Sequence, residues 1–216
     1  MTDKQTHIAV LTGDIIGSTQ LAPGDLTRAF DALSACADTQ AEWHGEDLHF
    51  TRQRGDGWQV RLARPTFALR SALAFRAALR CEGKEFSTFM AVAEGMAAPA
   101  LPDGNLNAAS DPVFIDSGRL LDQLKTRYLS NEMRHLDTGG IGAAFILADY
   151  ISQSWTPAQA AAIQPMLVPG EQPSHSEIAR ALGKSRQAVS KALEGAGIVA
   201  FWSSLDAIEE DGAHNV

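Results

Sequence analysis

The chain has little cysteine, no long apolar run and no surplus of positive charge. Cys36 and Cys81 are the two thiols among 216 residues, and there is no CxxC pair or Cys/His cluster. That excludes a disulfide scaffold and a thiolate metal site. Two cysteines within apolar helical patterns fit reduced core residues of a cytoplasmic protein. No apolar stretch approaches the roughly 20 residues that span a bilayer. The opening Met1-Thr-Asp-Lys-Gln-Thr-His7 lacks the apolar centre of a signal peptide, so no membrane partner is expected. The 18 Lys and Arg residues face 26 Asp and Glu, a net charge of −8. This argues against nucleic-acid binding by bulk charge but leaves room for a small local reading head.

What is present is globular. Hydrophobic residues make up 45% and charged residues 20%, enough for one ordinary domain and one small one. The organising stretch is Val10-Leu-Thr-Gly-Asp-Ile-Ile-Gly-Ser-Thr19, which begins as a buried strand and ends in a small-residue loop. Asp14 lies inside that strand, where a carboxylate is costly unless a cation or donor meets it. Gly17, Ser18 and Thr19 suit a phosphate. As the bland alternative, Asp14 caps the turn.

Residues 1–150 read as β, α, β-hairpin, α, β and then a helix. Pro23-Gly24-Asp25 starts the first helix, carrying Leu26, Phe30, Leu33 and Ala37, and His44-Gly45 ends it. Leu48–Arg52 and Trp58–Leu62 read as strands around an Arg54-Gly55-Asp56-Gly57 turn. A second, amphipathic helix follows Pro65, and Phe86–Ala93 is a strand. A loop over Ala97–Pro112 precedes a helix from about Asp116 through Leu124. This is the split βαβ order of a ferredoxin-like antiparallel sheet. It can bring Asp14 and Asp56 side by side as hard oxygen ligands for Mg²⁺ or Mn²⁺ with a nucleotide.

Asp14-Ile-Ile-Gly-Ser-Thr19 resembles the metal-binding first strand of class III nucleotidyl cyclases, and Gly55-Asp56 sits where that family keeps its second metal aspartate. The resemblance implies a cyclase-like α+β domain with Asp14 and Asp56 as metal ligands. It places Arg52 at the purine-selecting position, where the family has lysine. Arg119 falls at the arginine of the family's Asn-x-x-x-Arg pair, whose asparagine position holds Ile115. Ile115 cannot donate a hydrogen bond, so a preorganised transition-state donor is missing.

Residues 151–216 read as an all-α unit. Ile141 to Trp155 forms a connecting helix, and Thr156-Pro157 starts the next. Ser174-His-Ser-Glu177 has the form of a capping box opening a helix that Gly183 stops. Ser185 caps a second helix with Ala188, Val189, Ala192 and Leu193 inward and Arg186, Gln187, Ser190 and Lys191 outward. Two short helices around a tight glycine turn make a helix-turn-helix, and polar heads on the second are what major-groove readout requires. The alternative is a helical hairpin with a solvated outer face. Ile198, Phe201, Trp202, Leu205 and Ile208 predict a C-terminal helix, and Glu209–Val216 an acidic frayed tail.

The whole order resembles SatD-like proteins, which join a domain opening with a Gly-Asp-Ile-Ile-x-Ser type motif to a C-terminal helix-turn-helix. Trp155-Thr156-x-x-Gln159 and Ser185-Arg-Gln-Ala-Val-Ser-Lys191 carry the likeness in the second half. The resemblance implies a transcriptional regulator. The expected protein is a homodimeric reader of double-stranded DNA through Ser185, Arg186, Gln187, Ser190 and Lys191, with a nucleotide- or metal-sensing first domain. The alternative is a divergent metal-dependent cyclase or phosphoryl-transfer enzyme targeted by its helix-turn-helix.

Overall fold

The computed structural model describes residues 5–99, 104–126 and 130–214, the last four without their side chains. The chain ends, and positions 100–103 within the expected Ala97–Pro112 loop, lie outside the described residues. The fold is α+β, with a five-stranded mixed sheet and eight α-helices among the described residues. No helix of the described residues is long and apolar enough to cross a membrane.

The central strand is β1 (Thr6–Ile15), with residues Ile8–Gly13 buried. A strand covered on both faces loses the polar/apolar alternation, which is why no period of two runs through it. Helix α1 (Asp25–His44) follows and ends on Gly45 in the left-handed conformation. Strands β2 (Thr51–Arg52) and β3 (Gly57–Leu62) form the hairpin. The strand expected over Leu48–Arg52 survives only at its end. His49 takes a positive φ of 50° and its N–H donates to Asp47 Oδ1 at 2.7 Å, which turns the chain before pairing begins.

Helix α2 (Ala68–Glu82) leads to β4 (Thr88–Ala97), α3 (Pro112–Leu124) and β5 (Met133–His135). The order across the sheet is β2-β3-β1-β4-β5. The first four strands are antiparallel, and β5 adds to β4 in parallel. The expectation of a wholly antiparallel sheet is corrected by β5, three residues too short to carry a pattern. Its buried Met133 and His135 are held by register with Met90 and Val92.

Helices α1 and α2 cover one sheet face around Leu11, Ile15, Trp58 and Phe75. Helix α3 packs on β4 and β1 on the other, around Ile8, Val10, Ala93 and Phe114. Gly13 is required at the crossing with β3. A Cβ there would stand 2.3 Å from the Trp58 ring, whose Nε1 donates to Thr88 Oγ1 at 3.0 Å.

Behind α2 lie α4 (Gly140–Gln153), α5 (Pro157–Ile163), a 3₁₀ turn (Gln164–Leu167), α6 (His175–Leu182), α7 (Arg186–Ala196) and α8 (Ile198–His214). Helix α2 touches α4, α5 and the 3₁₀ turn as well as the sheet, and one apolar cluster runs from Ala9 to Leu205. Every residue of α2 from Ala68 to Arg80 is therefore buried. The amphipathic reading of α2 is corrected here, because the C-terminal helices cover the face it would have turned to water.

Burying α2 buries its arginines. Arg76 lies 2.8 Å from Asp149 Oδ1 on α4, and neither that oxygen nor Nη2 is aligned for a hydrogen bond. Its Nη1 donates to Asp149 O at 3.1 Å and to Ser152 Oγ at 2.7 Å. Asp149 Oδ2 accepts from Asn131 Nδ2, Glu132 N and Gln153 Nε2. One turn and a half earlier, Arg70 donates to both carboxylate oxygens of Glu209 on α8, at 2.6 and 2.9 Å, and to Leu167 O at 3.2 Å. The tail expected to fray from Glu209 is thus tied down at its first residue.

His44 is buried, its Nδ1 accepting from Arg64 N at 3.2 Å and its Nε2 lying 3.1 Å from Ser71 Oγ. Burial, aided by the nearby Arg64 charge, pushes its pKa down to about 4. The folded state thus keeps His44 neutral where the unfolded chain protonates it, near pH 6.5.

Three outcomes follow for stability. Arg76→Met strands the Asp149 carboxylate in the interior and should cost about 3–5 kcal/mol in urea unfolding. Arg119→Ala on the exposed face of α3 should stay within about 0.5 kcal/mol. The His44 contribution is fully present above pH 6.5 and is lost as pH falls toward 4, about 3 kcal/mol in total. His44→Gln should flatten that part of the stability profile in melts between pH 4 and 7.

Candidate functional site

Two groups of sequence-expected residues can be located. The first sits where β1 leaves the sheet. Antiparallel register sets Asp14 opposite Gly57, and Ile15 N donates to Asp56 O at 3.1 Å. The two carboxyl groups are brought together, as the split order allows. Burial raises the Asp14 carboxyl above its usual range; Lys125 works against the rise, and the adjacent Asp56 adds to it.

Both carboxylates already have partners. Ser18 Oγ donates to Asp56 Oδ2, so its hydroxyl is engaged rather than offered to a phosphate. Lys125, the residue that ends α3, places Nζ 2.9 Å from Asp14 Oδ2. Sequence reading missed Lys125, 111 positions from Asp14, because its place depends on the packing of α3 across the sheet. Gly17 adopts a left-handed φ of 66° and opens a 3₁₀ turn over Ser18–Gln20. Gln20 N is consumed there by Gly17 O at 2.8 Å, and Thr19 is exposed.

The other expected nucleotide contacts are directed elsewhere. Arg52 stacks its guanidinium 4.0 Å over the Phe30 ring and donates from Nη2 to Gly55 O at 3.2 Å, bracing the hairpin. Arg119 is exposed and pairs with Asp116 at 3.5 Å one turn back along α3. Ile115 is half-exposed. The residues present were tested against the divalent ion that the cyclase likeness implies. No group of three or more His, Cys, Asp or Glu side chains gathers among the described residues, and an ammonium stands against one of the two carboxylates. As it stands, the pair offers a divalent ion one carboxylate already paired with an ammonium and one engaged by the Ser18 hydroxyl.

The second group is α6–α7. Ser174 accepts from Glu177 N at 3.3 Å while Glu177 Oε2 accepts from Ser174 N at 2.8 Å, closing the capping box. Gly183 takes φ 62° at the end of α6, and Lys184 N donates back to Ala179 O at 2.9 Å. A left-handed residue here lets the chain turn within two positions. Ser185 Oγ then caps α7 by accepting from Ala188 N at 3.2 Å.

The buried stripe of α7 is Val189, Leu193 and Ala196. Ser185, Arg186, Gln187 and Lys191 are exposed. Two expectations change. Ala188, expected inward, is exposed and borders a shallow groove with Thr156, Ala158 and Gln159. Ser190, expected outward, is half-buried, and its Oγ lies 2.8 Å from His175 Nδ1, joining α7 to α6. Trp155 anchors α7 from beneath, with Nε1 donating to Ala196 O at 2.9 Å. At Gly195 a Cβ would meet Gln159 Nε2 at 2.8 Å, so α5 and α7 pack closely.

A cleft of about 420 Å³ between α1, α2 and the Gln164–Val168 segment is lined by Cys36, Trp43 and Cys81. Burial pushes the Cys36 thiol up to about 12 and the Cys81 thiol up to about 11. Neither is a reactive thiolate at neutral pH. Comparison with known proteins finds no matching family model and no matching curated relative.

Proposed function

We propose that the chain is a cytoplasmic DNA-binding transcriptional regulator that reads duplex DNA through α7. The observation that carries this reading is the α6–Gly183–α7 turn, with Ser185, Arg186, Gln187 and Lys191 exposed at and beyond the N-terminus of α7. Arg and Gln present bidentate heads suited to base edges, and an exposed helix N-terminus offers N–H groups to a phosphate. Helices α5, α6 and α7 then form the helix-turn-helix, with α7 as its reading helix and Ser190 serving the α6 contact. Over residues 171–197, four basic side chains face three acidic ones. Non-specific affinity is therefore weak and falls with salt.

On this reading the strand order β2-β3-β1-β4 is the ferredoxin-like core of a cyclase-related domain, and the two-part order agrees with the SatD-like resemblance. The first domain serves assembly and sensing rather than phosphoryl transfer. Support comes from the engagement of Arg52 with Phe30 and Gly55, and from the exposed positions of Ile115 and Arg119. A reader of this size spans two half-sites as a homodimer. Ile146, Leu147 and Tyr150 on α4 are exposed, and the exposed positions of that helix carry no charged residue. This is a neutral face on a chain of net charge −8, suited to a second copy.

Retention of sheared genomic fragments by the purified protein at low and moderate salt tests the DNA reading. A few fragments should be selectively held at both salts. Arg186→Ala/Lys191→Ala should lose roughly 2–6 kcal/mol of discrimination, about 1–3 per base-contacting side chain, with its fold intact by circular dichroism. Uniform or absent retention by the wild type would remove the reading.

A further inference from the structure

Asp14 and Asp56 set two carboxylates together at one end of the sheet, and the structure meets both from within the chain, one with an ammonium and the other with a hydroxyl. Ser18 Oγ donates to Asp56 Oδ2, and Lys125 Nζ stands 2.9 Å from Asp14 Oδ2. The Asp14 side chain is 15% exposed, so its pairing with Lys125 operates at reduced dielectric. The geometry points to Lys125 as a tethered cation that takes the place of a divalent ion at the Asp14–Asp56 pair, so that this site stands without Mg²⁺ or Mn²⁺.

The ammonium is delivered by a fixed element. Leu121 and Leu124 in the last turn of α3 are buried against Ala91 of β4. Further up the helix, the Ser117 hydroxyl lies 2.8 Å from Thr12 Oγ1 of β1, between two buried residues. A cation held on a packed helix has a high effective concentration at its partner. Its position at the end of α3 is also favoured by the negative pole of the helix. An incoming Mg²⁺ would have to expel this ammonium and then complete an octahedral oxygen shell from two carboxylates and water. Burial and the neighbouring Asp56 both disfavour the charged form of Asp14, and the ammonium opposes them. The lysine also ties the end of α3 to the end of β1.

The test is Mn²⁺ binding to EDTA-stripped full-length protein, read by electron paramagnetic resonance of the free ion and by thermal unfolding with and without Mn²⁺. Wild type should bind weakly and show no Mn²⁺-dependent shift in Tm. Lys125→Met keeps the apolar stem and removes the charge. It should bind one Mn²⁺ at least about tenfold more tightly, the scale of a contact charge on a carboxylate. The gain should vanish in Lys125→Met/Asp14→Asn. Lys125→Gln repeats the test with a polar head. A wild type that binds Mn²⁺ through Asp14 as tightly as Lys125→Met overturns the proposal. So does an absence of gain in both lysine variants. Neither result involves α7, so failure here is separable from failure of the DNA reading.

Discussion

The contact between Arg76 and Asp149 is the constraint on which the rest of the arrangement depends. A guanidinium and a carboxylate, 3% and 0% exposed, can share an interior only if each is met by the other and by further hydrogen-bonding groups. The groups that meet them come from α2, α4 and the segment entering β5. Once that network forms, α4 cannot leave α2, and β5 is carried to the edge of β4. Helix α2 then has the sheet on one side and the C-terminal helices on the other. Arg70 repeats the logic toward α8. Apolar packing supplies most of the driving force for collapse, but it is indifferent to small slides of one helix on another; buried ion pairs are not.

The same packing joins the two parts of the chain. Position 150, the expected boundary, falls within α4, and the helices that follow share the apolar cluster of the sheet-covering helices. Packing is continuous from α1 and α2 to α5, and the Trp155 hydrogen bond to Ala196 O fastens α7 to the same body. The proposed reading helix is mounted on the same core as the carboxylate pair rather than hung from a flexible linker.

Local chemistry was legible in the sequence and long-range chemistry was not. The Ser174–Glu177 box, the Thr156-Pro157 helix start and the Gly45 and Gly183 stops depend on residues within a turn of one another, and the structure forms all of them. The juxtaposition of Asp14 and Asp56 was legible because a hairpin beside a central strand leaves few alternatives. Lys125 was not, since an exposed lysine at a helix end gives no local sign of its partner. Spacing predicts Ala188 inward and Ser190 outward on α7, whereas Ala188 is exposed and Ser190 half-buried. Small residues carry little periodic signal, and the neighbours that decided them, α5 and His175, come from other helices. Strand β5 failed for the same reason, being specified by its partner strand and by the Asp149 network.

The most direct test of the regulator reading is dimethyl sulfate footprinting on a DNA fragment that the protein retains. Two helix-turn-helix units related by a dyad should protect guanine N7 atoms in the major groove in two patches about 10 base pairs, or about 34 Å, centre to centre, or at a multiple of that turn. Protection without that spacing, or a bound complex that leaves every N7 reactive, would contradict major-groove reading by a pair of α7 helices.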